Sequence, residues 1–584
     1  MEANLALRAM TLRGIGSYLH GARLEIKPLT ILCGTNGSGK STWLRSLEEL
    51  KSSLRLSKLF PLGYSGGGEA IYDFGSTNAF IHLSGADAPE VLADRARESE
   101  FGPPCTLGLE FEATQSFELP KSDLDQTVIG NELQDFLWSG KCSQGTQFRI
   151  RLSHPTHHCG EHVPNARHTV ELLINDNYSI RFEGVGELNA QDDEKYSIIC
   201  SAGFLPDFNA VDSAKELQLG YYHLGYEKDA KIECLAGMLN ESALRQLIST
   251  CRQRIRELLD GLLAGVFTLS AIRDVHTYHY LHEQGFDSWK TPSDPDEAVK
   301  TRYVGPNGQA TWWLERAFAY NFVEPTTAWN KWSNSSSDPP YHTPTVEGFV
   351  GKWMDELVGC TIVCDEGSDE SGNRWALSSA WGILPVALLD ASIPENFPIP
   401  DDDEGRHKYD RHYDGPWSVA RIGHDCFFDQ PQTPGQMSSG FHQLAPLIVQ
   451  SALMQKYEIM AVENPEVHLH PSLQLKVAEF LMHQAKSGKW MIIETHSDLI
   501  IRRVIREILE EKIALGQANI GIYFASLDQS EQGYRYSTLK PIEIDERGRI
   551  QNWPPGFMDD DVQESRRLID IMYGRPPDIS EDQE

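Results

Sequence analysis

The chain has 584 residues, too many for one compact core, so two or more lobes are expected. With 40% apolar and 10% aromatic residues it reads as an ordinary globular protein rather than a disordered one, and no run of about 18 uninterrupted apolar residues marks a membrane span. Lys and Arg number 52 against 84 Asp and Glu, a formal net charge of −32, which excludes a broad cationic grip on duplex DNA and leaves proteins or a confined nucleic-acid end as partners. Ten cysteines without C-x-x-C pairs, and a start at Met1-Glu2-Ala3-Asn4 that lacks a basic segment and apolar core, predict a reduced, cytoplasmic protein.

In chain order, Arg8 to Ile15 and Ala22 to Ile26 alternate as antiparallel strands. Leu29 to Cys33 is a short apolar run suited to a buried parallel strand. Gly34-Thr35-Asn36-Gly37-Ser38-Gly39-Lys40-Ser41-Thr42 follows, matching G-x-x-x-x-G-K-[ST] at every fixed position. Glycines at these places let successive N–H groups of Gly34, Asn36, Gly37, Ser38 and Gly39 face one concavity around a polyphosphate. Lys40 supplies charge for the outer phosphates, the Ser41 hydroxyl suits Mg²⁺, and Ser41 to Leu47 has helical spacing, so a helix N-terminus faces the phosphates.

After the turn Gly66-Gly67-Gly68, strand-like runs recur at Cys105 to Phe111, Gln147 to Leu152, Thr169 to Ile174 and Tyr178 to Phe182, an antiparallel β region. Ser242 to Leu263 has apolar residues three and four apart, a helix without the heptads of a long coiled-coil arm. Ala328 to Thr345 and Pro394 to Gly415, the latter with Asp401-Asp402-Asp403-Glu404, read as exposed loops. His154, His157, His158, Cys159, His162 and His168 are irregularly spaced for zinc and read as a polar surface loop. Trp312, Trp313, Trp329 and Trp332 lack a basic surround and read as packing or interface residues rather than base-stacking ones.

Glu458 to Glu463 is an apolar strand ending in a carboxylate, where a P-loop enzyme keeps the acid that holds Mg²⁺. Asn464-Pro465-Glu466-Val467-His468-Leu469-His470-Pro471 follows, then a helix from Ser472 to Lys486. Trp490 to Ser497 is a second buried strand with a polar tip, Glu494-Thr495-His496-Ser497. If extended, the i, i+2 spacing of His468 and His470 points both rings the same way. Two such strands fit an α/β sheet with its site at the strands' C-terminal edge.

These runs resemble the Walker B and switch-histidine motifs of ABC-type ATPases, in the branch that includes the SMC, RecF and OLD proteins. Met437-Ser438-Ser439-Gly440-Phe441-His442-Gln443 stands where that branch carries its signature motif. Val304 to Gly308 and the tail Ile544 to Phe557 are similar to a group of stand-alone bacterial ATPases found in anti-phage defence operons of Septu and retron type, where the ATPase accompanies an effector. The implied fold is α/β, an ABC-type P-loop ATPase head with an antiparallel β region and a large helical and mixed insertion. Its implied parts are a first half of the head over 1–210, the insertion over 211–415, a second half over 416–540 and a tail over 541–584.

The resemblance implies that Lys40, Ser41 and Thr42 bind ATP and Mg²⁺, with Ser41 and Glu463 as metal ligands. Ser438, Ser439 and Gly440 would contact the γ-phosphate of nucleotide held by an opposing copy, and His496 would sense that phosphate. A head-to-tail homodimer, and a nuclease or toxin effector as separate partner, are implied with these roles. Where Asp-Glu is usual, this chain has Glu463-Asn464, and an amide cannot accept a proton; loss of a positioned base costs roughly 10²–10⁴ in rate. Glu466 is the alternative carboxylate and His496 can orient water, so slow hydrolysis suited to a sensor is expected. Phe441-His442 replaces the more frequent Gly-Gln or Gly-Glu. The residues after His496 hold no strand-spaced D-x-D, so no Toprim nuclease is expected in this chain. Two other readings stay open: a DNA-repair ATPase that binds DNA ends, and a scaffold that uses ATP without turnover.

Overall fold

The computed structural model describes residues 4–18, 20–55, 105–121, 135–154, 167–175, 178–185, 195–200, 217–223, 241–273, 295–311, 345–358, 360–363, 367–368, 374–375, 382–385, 439–529, 535–545, 550–552 and 560–573, with single positions between them. The glycine turn at Gly66, most of the histidine cluster, the four tryptophans, the two loops and Ser438 lie outside the described residues.

In chain order the strands that matter are β1 (Leu5–Arg13), β2 (Ala22–Glu25), β3 (Leu29–Gly34), β4 (Cys105–Ala113), β5 (Gln147–His154), β6 (Arg167–Ile174), β7 (Tyr178–Val185), β8 (Lys195–Cys200), β9 (Leu217–His223), β10 (Val266–Leu269), β11 (Ile459–Glu463), β12 (Trp490–Glu494), β13 (Ile520–Gln529) and β14 (Arg535–Pro541). The helices are α1 (Lys40–Arg55), α2 (Glu241–Ala264), α3 (Val346–Val358), α4 (Ser439–Leu453), α5 (Pro471–Lys486), α6 (Asp498–Glu510) and α7 (Asp560–Met572). The fold is α/β and includes a large antiparallel sheet. The chain divides into two compact units, Glu2–Val266 with Gly516–Glu584, and Phe267–Leu515.

In the first unit an eight-stranded sheet runs β9-β8-β7-β6-β5-β4-β1-β2, every pair antiparallel. Alternation drives it: Leu107, Leu109, Phe111, Phe148, Ile150 and Leu152 turn one face inward, where Phe111 stacks on Phe148 at 5.3 Å. On the other face Arg23 pairs with Glu110 at 2.9 Å and holds that carboxyl below its usual range. Helix α2 packs on α1 and β1. Its Arg254 is fully buried, yet its fork is satisfied by the carbonyls of Leu137 (3.0 and 3.1 Å) and Pro120 (2.6 Å) and by Glu257 (2.7 Å). Separately, β3 pairs in parallel with β13, and β13 antiparallel with β14.

In the second unit β10, β11 and β12 lie in that order, with β11 and β12 parallel. Both are continuous apolar runs, as strands covered on two faces require. Helix α4 is buried along its whole length from Gly440 to Leu453 and packs on α3, while α5 packs on α6. Trp353 of α3 meets Phe480 of α5 edge-on at 4.7 Å. The α6 N-terminus is capped by Ser497, whose hydroxyl accepts the Ile500 N–H.

Candidate functional site

Strand β3 ends at Gly34, and the loop to Lys40 turns through left-handed glycines. Gly34 has φ 132°, and a Cβ there would run into the Ala525 carbonyl of β13. Gly39 has φ 84°, and a Cβ would lie 2.9 Å from both Ser17 Oγ and the Tyr18 ring. Both places therefore demand glycine for space as well as conformation. Ser537 of β14 donates its N–H to the Ser17 carbonyl at 2.7 Å, and the two hydroxyls hydrogen-bond each other.

Ser38 is buried, and its hydroxyl donates to the Thr35 carbonyl at 2.8 Å. The Lys40 ammonium, 3% exposed, donates to the carbonyls of Thr35 (2.7 Å) and Gly34 (3.1 Å). It thus spans the loop from the first turn of α1. Asn36 and Gly37 are exposed at the tip, and Ser41 and Thr42 are half-buried. Trp43 behind them is buried against Tyr18, edge to face at 5.2 Å.

The second unit gathers the downstream residues. Glu463 is half-buried at the end of β11, and its Oε2 accepts the Ala271 N–H at 3.4 Å. In the parallel register Glu463 stands beside Glu494. Asn464 donates its N–H to the Glu494 carbonyl at 2.8 Å and has φ 43°, left-handed backbone that asparagine tolerates better than most residues. Glu466 Oε1 accepts the His496 N–H at 2.7 Å. Burial pushes the Glu466 carboxyl above its ordinary range, against the pull of the His496 amide, the Thr495 hydroxyl and Arg273. His496 is exposed; Thr495 beside it is buried.

Ser439, exposed, begins α4, and Gly440 is buried behind it. Phe441 and His442, the departures in the signature run, are both buried in that helix, with rings edge to face at 5.6 Å. The segment carrying His468 and His470 is not extended. His468 has φ 62° within a turn, and His470 instead caps α5, its Nδ1 accepting the Ser472 N–H at 3.3 Å. Val304 to Gly308 packs on α4: Gln450 accepts the Val304 N–H at 2.9 Å and donates to the Arg302 carbonyl at 3.0 Å.

Sequence reasoning missed Arg273. It is 2% exposed and donates to the Gln443 carbonyl (2.8 Å), the Gln443 side-chain oxygen (2.9 Å) and the Glu463 carbonyl (3.3 Å). Burial pushes its guanidinium down to about 10, against Glu466 and Glu463. No local pattern marks it: Arg273 stands four residues beyond the short buried strand Val266–Leu269, whereas Glu463 is itself the last residue of β11.

Residues 389–502 match a family described as "AAA domain, putative AbiEii toxin, Type IV TA system", which takes in α4, β11, α5 and β12. Residues 517–568 match a family described as a protein of unknown function, DUF3696. No curated protein sequence matches the chain. Among solved structures it is similar to an Smc head bound to the C-winged helix domain of ScpA, with 10% identity over 92% of this chain and 98% of that one and a TM-score of 0.36. The SMC head domain from Thermotoga maritima gives 9% over 92% and 100%, TM-score 0.28. An Smc head with an extended coiled coil, bound to the C-terminal domain of ScpA derived from Pyrococcus furiosus, gives 9% over 97% and 100%, TM-score 0.33.

The AAA match over residues 389–502 and the strand–loop–helix at Gly34 to Thr42 are both features of nucleotide-binding P-loop ATPases, a class that hosts many functions. The loop, with Gly34, Gly37 and Gly39 at positive φ and open space around Gly37, fits a polyphosphate. A hydroxyl such as that of Ser41 and a carboxylate such as that of Glu463 are each oxygen donors of the kind Mg²⁺ takes beside phosphate and water. Among the described residues no group of three or more His, Cys, Asp or Glu is arranged for a metal, and no helix is long and apolar enough to cross a membrane.

Proposed function

We propose that this chain binds ATP with Mg²⁺ in the cytoplasm, hydrolyses the nucleotide slowly, and uses it to regulate a separate effector. The observation that supports this most directly is the loop itself: glycines without room for a Cβ, and a buried Lys40 spanning the turn at a helix N-terminus. In this reading Lys40 and the loop N–H groups take the phosphates. Ser41 and Glu463 hold Mg²⁺, which would neutralise phosphate charge. Glu466 takes the proton of the attacking water; burial raises its pKa toward the working pH, as suits a general base. The His496 side chain, on the residue whose amide holds Glu466, orients that water.

Ser438, Ser439 and Gly440 face the γ-phosphate of nucleotide held by a second copy, so ATP favours a homodimer and hydrolysis releases it. The effector, a nuclease or toxin, and the role in anti-phage defence rest on the resemblance and on the toxin–antitoxin wording of the matching family's description.

A steady-state ATPase assay with sizing by light scattering tests the reading. ADP production that Lys40→Ala abolishes, and a dimer that ATP stabilises in Glu466→Gln, are expected. Turnover above about 10 per second would overturn slow hydrolysis, since that is the rate of an ordinary enzyme. Absence of Lys40-dependent ADP would leave the scaffold, and DNA-stimulated turnover would favour the DNA-end reading.

A further inference from the structure

Arg273 joins two elements that the ATPase reading treats separately. Its Nη1 holds both oxygens of Gln443, the fifth residue of α4, whose first residue is Ser439. Its Nη2 holds the carbonyl of Glu463, the last residue of β11. These partners lie 170 and 190 residues away along the chain. A buried charge is a weak way to stabilise a core, and an apolar side chain of similar volume often serves as well or better. What a guanidinium offers is a rigid planar fork that fixes several acceptors at once. The negative charge it faces comes from Glu463 and Glu466.

We propose that Arg273 is a positioning residue that locks the start of the signature helix α4 to the carboxylate end of β11. A displacement of Ser439 and Gly440 is thereby passed to Glu463 and to Glu466 beyond it. This rests on the ATPase reading above and assigns to that reaction a residue outside every motif identified in the sequence.

The test is a double-mutant cycle on the full chain with Arg273→Met, Gln443→Ala and their combination, with Arg273→Lys as the conservative variant. Arg273→Met should lower kcat by on the order of 10²-fold, the cost of a small misplacement at a reacting centre. ATP affinity should stay within about 2-fold, because the phosphate loop is untouched. Gln443→Ala should lower kcat too, and the double variant should fall no further than Arg273→Met. Arg273→Lys, which keeps the charge but loses the fork, should recover only part of the rate. Should Arg273→Met fail to fold by circular dichroism, the cycle with Arg273→Lys and Gln443→Ala carries the same comparison. Independent, multiplying effects, an unchanged kcat, or affinity and kcat falling together would overturn the proposal. Wild-type chain without Lys40-dependent turnover would overturn the ATPase reading and this proposal with it.

Discussion

The carboxylate of Glu466 and the backbone N–H of His496 are hydrogen-bonded at 2.7 Å across 30 residues of sequence. The turn after one buried strand and the tip of its parallel neighbour are thereby fastened together. Glu466 is thus given a fixed place three residues beyond the end of β11.

Glu466→Gln should lower turnover by roughly 10²–10⁴ while leaving ATP binding intact. The acidic limb of the wild-type pH–rate profile should lie above the ordinary carboxylate range, because the base works only when ionised and burial holds it protonated to higher pH. Stability has the opposite sense. A carboxyl whose pKa rises on folding keeps its proton over a window where the unfolded chain has lost it, so its contribution to stability falls as pH rises through that window. Glu466→Gln is therefore expected to melt higher than wild type at neutral pH, measured by calorimetry.

Asn464 sits at φ 43° with its N–H on the Glu494 carbonyl. Asn464→Gly should be tolerated, whereas Asn464→Val should cost about 1–2 kcal/mol through left-handed strain. Urea unfolding of the two variants makes the comparison. The asparagine at this place thus has a backbone reason.

Gly34→Ala should abolish ATP binding and loosen the β3–β13 pairing, because its methyl meets a carbonyl of the adjoining strand, which is backbone and cannot swing aside. Gly39→Ala meets Ser17 Oγ and the Tyr18 ring, so side chains must move and left-handed strain is added. It should weaken binding without removing β3. Titration with a fluorescent ATP analogue, together with hydrogen exchange over residues 29–47, separates the two outcomes.

Lys489 is fully buried, donates to the Ser451 carbonyl at 2.6 Å and lies 5.4 Å from the Phe349 ring centre. Burial pushes its ammonium down to about 7 from 10.5. Between these values the unfolded chain holds a proton that the folded one has lost, so stability rises with pH across that window, by up to about 1.4 kcal/mol per pH unit. Lys489→Met should remove this slope in urea melts taken from neutral to alkaline pH.

The strand–loop–helix at Gly34 was legible because its signal is local: spacing, an apolar run before and helical spacing after. Strands β4 to β7 and helix α2 followed from periodicity for the same reason. Strands β8 and β9 were missed; Lys195–Cys200 and Leu217–His223 are short and weakly alternating, and their place in the sheet comes from neighbours. Arg273 was illegible as a site residue because its acceptors are two carbonyls and an amide far along the chain. Whether the segment at His468 and His470 is extended could not be read from spacing, because it turns on the left-handed backbone of His468.

The hydroxyls of Ser17 and Ser537 that back onto Gly39 have a practical consequence for anyone trimming the chain. The segment matched as DUF3696 supplies β13, the parallel neighbour of β3, and β14, which carries Ser537. It forms the rear wall of the phosphate loop rather than an appendage. A chain cut after Leu515 should lose ATP binding along with its tail, so the phosphate loop and the segment behind it cannot be dissected as independent modules.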